Sequence, residues 1–376
     1  MQLMPPAVPI APTTAPAIQV TLSRDRYWIK IDPKTGAPHM PTNVVATAEV
    51  RNWPEGVTPP SSYQWHVTLD WNYPKYPTHH DIGNRVFEQP GPLHIDFGNQ
   101  IRGGLLTVAV SAMLNNRIIV GKAYALVVGE NPTHAMVLHA FPRTRFGLIA
   151  SKVGVAESDF QQFMPVCGPD PGGQPYMSRT NDIGIMQLNA PTGSVTSEDQ
   201  IWDWRANVRR GMEELADKGR VTVLASRSAM GRDQLPDTGT EQFAYVNMLR
   251  LFVGLSALPP PVAPPFSDKP GSGIQPDDPD VDHLKLTQVE RDMIRRYNGG
   301  SEYAYNITLR PDTPYPISMG WEIDPTRGGI RPNSGDPDYI HHVLRAQSGL
   351  TLPPPPKPKA KAPRRQRHSR HGRRRS

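Results

Sequence analysis

Between residues 18 and 130 apolar side chains return at every second position in short runs, "IQVTLSRDRYWIKI", "NVVATAEVRNW", "YQWHVTLDW", "LLTVAVSAML" and "RIIVGKAYALVV", each cut off by Pro, Gly or Asn. In "YQWHVTLDW" Tyr63, Trp65, Val67 and Leu69 share one face, and Gln64, His66, Thr68 and Asp70 the other, the pattern of a half-buried strand. With Asn115-Asn116 as a hairpin turn, the runs predict an antiparallel β-sandwich of immunoglobulin-like architecture over residues 18–132.

Past "GENPTH" the period becomes helical. Phe146, Ile149, Ala150, Val153 and Ala156 form one stripe, and Glu157 continues it. A second helix reads from Ser197, where "SEDQ" offers a capping box, through Ile201, Trp204, Val208, Met212 and Leu215 to a stop at Lys218-Gly219, with a break near Trp204–Ala206. "EQFAYVNMLRLFVGL", residues 241–255, is a third, and "TQVERDMIRRYNGG" a fourth, with Thr287 and Glu290 as capping box and Asn298-Gly299-Gly300 as stop. The pattern therefore predicts a multidomain α+β chain: a Pro-rich leader over 1–17, the sandwich, a helical domain over 140–310 and an irregular extension over 311–352 with a short helix near "DYIHHVLRAQ". Residues 257–283, proline- and acid-rich without periodicity, read as a disordered insertion into the helical domain.

Charge changes the picture at one end only. The chain carries +6, but residues 353–376 hold ten Lys and Arg and no acid, so residues 1–352 carry −4. The basic character belongs to a disordered tail suited to contact with anionic polymers, which argues against a nucleic-acid groove in the body. A single cysteine, Cys167, excludes an internal disulfide framework and a cysteine-built zinc site. His79-His80-Asp81, His341-His342 and the Asp278, Asp280, Asp282 run lack ligand spacing, so no metal is expected. The N-terminus has no basic n-region and no window offers about 18 apolar residues, so neither a classical signal peptide nor a transmembrane segment is expected.

An acid on the apolar stripe of a helix is desolvated, which keeps it protonated near neutrality and able to give a proton to a glycosidic oxygen. Glu157-Ser158 end the stripe, Ser178 stands six residues before Gly184, and the segment Asp182-Ile183-Gly184-Ile185-Met186-Gln187-Leu188-Asn189 and the pair Tyr297-Asn298 follow. From the residues alone, Gly184 permits close backbone approach to a ligand, Met186 packs beneath a cleft, Gln187 hydrogen-bonds the ligand or Glu157, and the Tyr297 hydroxyl orients the acid.

In this order the residues resemble the soluble lytic transglycosylases of the lysozyme superfamily, especially the small enzymes carried by secretion and conjugation machines. The resemblance spans roughly residues 140–225 and 284–305. It implies a lysozyme-like fold for the helical domain and cleavage of the MurNAc–GlcNAc β-1,4 bond of peptidoglycan glycan strands, leaving 1,6-anhydro-MurNAc ends. Glu157 is then the catalytic acid and base, and Ser158, Ser178, Gly184, Met186, Gln187, Asn189, Tyr297 and Asn298 form the substrate-binding set, without metal or cofactor. It also implies action on the cell wall, in the periplasm or outside the cell, after export by a specialised secretion system or in association with a phage, with a secretion or phage-tail component as partner. Two alternatives stay open: a muramidase-type hydrolase using the same Glu157, and a non-enzymatic particle or wall-binding module whose lysozyme-like domain is catalytically dead. The loop "MPVCGPDPGGQPYM", residues 164–177, lengthens the path from acid to glycine segment and is a candidate gate.

Overall fold

The computed structural model describes residues 15–72, 76–167, 172–189, 193–227, 251, 254, 256, 284–299, 303–309, 316–323, 336 and 338–353. The chain is a mixed α+β protein in which sheet predominates among these residues. The third predicted helix except Leu251 and Gly254, the 257–283 insertion, the basic tail beyond Pro353 and most of the leader lie outside them.

The alternating segments form two sheets. One holds β1 (Ala17–Leu22), β4 (Val44–Arg51) and β7 (Leu93–Ile95). The other runs β3 (Pro38–His39), β2 (Arg26–Ile31), β9 (Arg117–Gly129), β8 (Gly104–Leu114), β5 (Tyr63–Trp71), β6 (Thr78–Phe87) in spatial order. Their inward residues, among them Ile18, Val44, Ile29, Trp65, Leu69, Leu106, Val108 and Val127, meet in one core. Asn115 and Asn116 take positive φ and close the β8–β9 hairpin, as the sequence predicts.

One pairing departs from the expected antiparallel order: β2 runs parallel to β9. The chain crosses from the smaller sheet to the larger at Ser23–Asp25 instead of forming a hairpin, so β2 arrives on the free side of β9 pointing the same way. Strand β6 has no counterpart among the predicted runs. It is an edge strand of the larger sheet and none of its residues is buried, so nothing selects strict alternation along it.

Six helices follow among the described residues: α1 (His134–Ala140), α2 (Arg145–Ser158), α3 (Asp199–Trp202), α4 (Trp204–Arg227), α5 (Gln288–Tyr297) and α6 (Tyr339–Arg345). Two short hairpins, β10 (Asp182–Ile183) with β11 (Leu188–Asn189) and β12 (Tyr303–Leu309) with β13 (Pro316–Ile323), complete the described elements. The predicted break falls at Asp203, between α3 and α4. The predicted stop at Lys218-Gly219 does not occur. A Cβ on Gly219 would sit 3.0 Å from Met293 Sδ, so this glycine lets α5 pack close against a helix that continues. The "SEDQ" capping box does not form either, because the Gln200 side chain turns to Thr196, accepting from its amide at 2.8 Å and donating to its hydroxyl at 3.0 Å. The Thr287–Glu290 box on α5 forms in full. The short helix expected near "DYIHHVLRAQ" forms as α6, and among the described residues of the 311–352 extension β13 is an element the sequence does not predict.

The sheets and helices share their core. Trp202 meets Trp71 edge to face at 5.2 Å between ring centroids, Phe163 lies over Gly129, and the Trp204 indole donates to the Gly36 carbonyl at 2.9 Å. Asn131 accepts from the Gln162 and Phe163 amides and donates to the Phe163 carbonyl at 2.7 Å, which ties the end of β9 to the loop after α2. That loop is not a free gate at its described ends. Met164 and Gly173 hold it closed through backbone hydrogen bonds, and the Gly129 amide and the Arg26 guanidinium both donate into it.

Candidate active site

Helix α2 starts at Thr144, whose hydroxyl accepts from the Gly147 amide, and ends where Asp159 and Phe160 turn to positive φ. Glu157 therefore lies in the last turn, directly before the chain leaves the helix. Its side chain is half-buried. Burial pushes its pKa from the ordinary 4.5 up to about 7, a hydrogen bond from Tyr339 opposes that rise, and the negative charges of Asp182 and Asp336 add to it.

The Tyr339 hydroxyl donates to Glu157 Oε1. This corrects the expectation for Tyr297, whose hydroxyl instead donates to the Met186 carbonyl at 2.6 Å. Tyr339 is buried and Tyr297 half-buried beside the acid, and burial raises each pKa, with Glu157 adding to the shift. Tyr339 reaches Glu157 because α6 is docked on α2 one turn earlier: the Lys152 ammonium donates to the Leu344 and Ala346 carbonyls at the end of α6, and Ser151 donates to Ser348.

The segment 182–189 is a two-stranded hairpin whose turn is Gly184–Gln187. Two buried amides hold that turn from below. Asn207 donates to the Ile183 carbonyl at 3.0 Å and accepts from the Met186 amide at 2.9 Å, while Gln162 accepts from the Ile185 amide at 3.3 Å and donates to Ile201. Ser158 spends its hydroxyl on the Ile185 carbonyl at 2.9 Å, so the residue beside the acid fastens the helix end to the hairpin turn.

The sequence-derived set thus converges on one place, with Tyr297 in a different role from the one expected. Ser158, Gly184 and Met186 are buried and shape the site from within the protein. Gly184 is required because its φ is +73° and a Cβ there would lie 2.5–2.7 Å from the Gln162 and Asn207 side-chain amides. Gly184→Ala is expected to cost about 2–4 kcal/mol, strain and overpacking together, read as a lowered urea midpoint. Gln187, half-buried, donates to Gly184 and makes no hydrogen bond with Glu157. Ser178 and Thr180 donate to one oxygen of Asp182 and Asn189 donates to the other, so these residues fix a carboxylate next to Glu157. Asn298 caps α5 and accepts from the Asp336 amide.

Tyr339, Asp336, Gln162 and Asn207 carry no motif. The amphipathic pattern of Tyr339, Ile340, Val343 and Leu344 marks α6 as a docked helix, but nothing in it pairs a tyrosine with an acid 182 positions away. Among the described residues no group of three or more His, Cys, Asp or Glu is arranged to hold a metal ion, and no helix is long and apolar enough to cross a membrane. No family model, no curated protein and no solved structure matches this chain.

Chemically, the arrangement offers one carboxyl that is half protonated near neutrality, oriented by a phenol and flanked by two carboxylates whose oxygens are occupied. Tyr339→Phe removes the one hydrogen bond that favours the charged form of Glu157, so its pKa is expected to move above about 7. In a catalytic assay the alkaline limb of the rate profile would then move to higher pH while the maximum rate falls about tenfold, because the acid loses its orientation.

Proposed function

We propose that this chain is a peptidoglycan lytic transglycosylase with Glu157 as its acid and base. The same reading makes the helical part lysozyme-like and the two-sheet part an immunoglobulin-like sandwich, and places the protein's work on the cell wall. The observation that carries it is the half-buried Glu157 carboxyl, its pKa raised to about 7, held by Tyr339 where the end of α2 meets the 182–189 turn.

In the reaction, protonated Glu157 gives its proton to the oxygen that links C1 of MurNAc to C4 of GlcNAc, and the C1–O bond breaks. The acetamido carbonyl of MurNAc stabilises the positive charge at C1. The Glu157 carboxylate then takes the proton of the MurNAc C6 hydroxyl as that oxygen bonds to C1. The anhydro ring closes and the acid is restored. Most glycoside hydrolases need a second carboxylate free to act as nucleophile or to activate water. Here Asp182 accepts from Ser178, Thr180 and Asn189, and Asp336 accepts from the Asp338 amide and faces His342, which supports the route that needs no second base.

Purified peptidoglycan digested with the protein is expected to yield muropeptides lighter by one water than those of a muramidase. Reducing MurNAc ends of full mass would replace this reading with the hydrolase, and no release from any wall type would replace it with a binding module.

A further inference from the structure

We infer that Asp336 and His342, which bracket Tyr339 on the α6 segment, form a charge pair that governs how firmly Glu157 holds its proton, acting through that carboxyl and not on the substrate. The catalytic meaning of the pair rests on the reading of Glu157 as general acid; its electrostatic action on Glu157 does not.

The geometry begins with spacing. Tyr339 opens α6 on its buried face, Asp336 stands three residues before it, ahead of the helix, and His342 stands one turn after it on the exposed face. Tyr339 occupies the middle place and donates to Glu157. Asp336 is anchored to the same turn: its carbonyl accepts from the Tyr339 amide at 3.2 Å, and its own amide donates to Asn298 at the end of α5. One carboxylate oxygen accepts from the Asp338 amide at 2.9 Å and the other lies 2.7 Å from His342 Nδ1. The His342 side chain is 56% exposed and that of Asp336 35%, so the ring meets solvent while the carboxylate stands between it and the site.

The other groups around the acid behave differently. Asp182, on β10, is held by hydroxyls and an amide that do not change charge near neutrality, so its push on Glu157 is constant. Arg210 and Glu214, on α4, act on the half-buried Tyr297 of α5 with opposite signs. Imidazole is the side chain that gains and loses charge near neutrality. With His342 protonated the pair is close to neutral and Glu157 feels little of Asp336. With His342 neutral the full negative charge of Asp336 opposes ionisation of Glu157.

The test is a carboxyl carbon NMR titration of the full chain labelled at glutamate, with the Glu157 resonance identified by its loss in Glu157→Gln. Asp336→Asn is expected to lower the Glu157 midpoint by about 0.5–1 pH unit, and His342→Gln to raise it by a few tenths of a unit. The opposite signs are the signature, since loosening of α6 would hydrate Glu157 and release it from Tyr339 in both variants alike, moving both midpoints in the same direction. Midpoints that move together, or an unmoved midpoint in His342→Gln, would overturn the inference. Should Asp336→Asn fail to fold, the exposed His342→Gln decides alone. A wild-type protein inert on every cell wall would remove the transglycosylase reading and leave this titration intact.

Discussion

Glu157→Gln is expected to abolish lysis, with a loss of about 10³-fold or more in the rate of muropeptide release, and to make the folded protein more stable at pH 8. The two effects have one cause. Glu157 binds its proton more tightly folded, with a pKa of about 7, than unfolded, where it lies near 4.5. Such a group contributes its full stability below pH 4.5 and loses it as pH climbs through about 7, because the folded state must then hold a charge in a poorly hydrated place. The span corresponds to about 3 kcal/mol. Glutamine keeps the shape and never ionises, so wild type and variant should have similar urea midpoints near pH 4, and the variant should be the more stable by up to about 3 kcal/mol at pH 8. A variant that still clears cell walls would remove Glu157 from the chemistry. Equal stability at both pH values would show instead that the carboxyl is hydrated.

Much of this place was legible along the chain because it depends on local chemistry. The stripe from Phe146 to Ala156 put Glu157 on the inner side of α2, and the Gly184 turn, with its positive φ, is where a glycine signals itself. The strand "YQWHVTLDW" alternates as expected from Tyr63 to Val67 because both of its neighbours are strands and one of its faces is core, and the alternation ends at the register shift after Val67, where Thr68 is buried. The unread parts are those set by distant partners. Tyr297 looks like the acid's orienting phenol because of its neighbour Asn298, yet the Met186 carbonyl takes its hydroxyl and leaves the acid to Tyr339, from a segment that reads as a proline-rich extension. Gly219 looks like a helix stop because glycine usually is one, and becomes a contact because Met293 of another helix rests on it. In each case the residue type was informative, while the partner that decides its role comes from a remote part of the fold.

Trp202→Ala is expected to cost about 3–5 kcal/mol and to destabilise the sheets and the helices together. Trp202 is fully buried at the end of α3. Its ring touches Trp71 of β5, lies 6.0 Å from Phe163 between centroids, and fills the space over Gly103, where a Cβ would fall 2.2 Å from it. Every one of these neighbours except Phe163 belongs to the sheet part, so removing the indole empties the joint and not one side of it. The sequence suggests two domains that would melt separately. The shared core predicts one cooperative transition that moves as a whole when the joint is cut, seen by calorimetry and by near-ultraviolet circular dichroism alike. The Trp202 Nε1–H has no hydrogen-bond partner, so Trp202→Phe should cost much less than the alanine change, because only volume is lost and no polar group is stranded. Two separate transitions in the wild type, with only the helical one displaced in Trp202→Ala, would show that the sheets stand alone. A single displaced transition would mean that the sheet part cannot act as a freely swinging tether, and that whatever it binds is presented in a fixed orientation to Glu157.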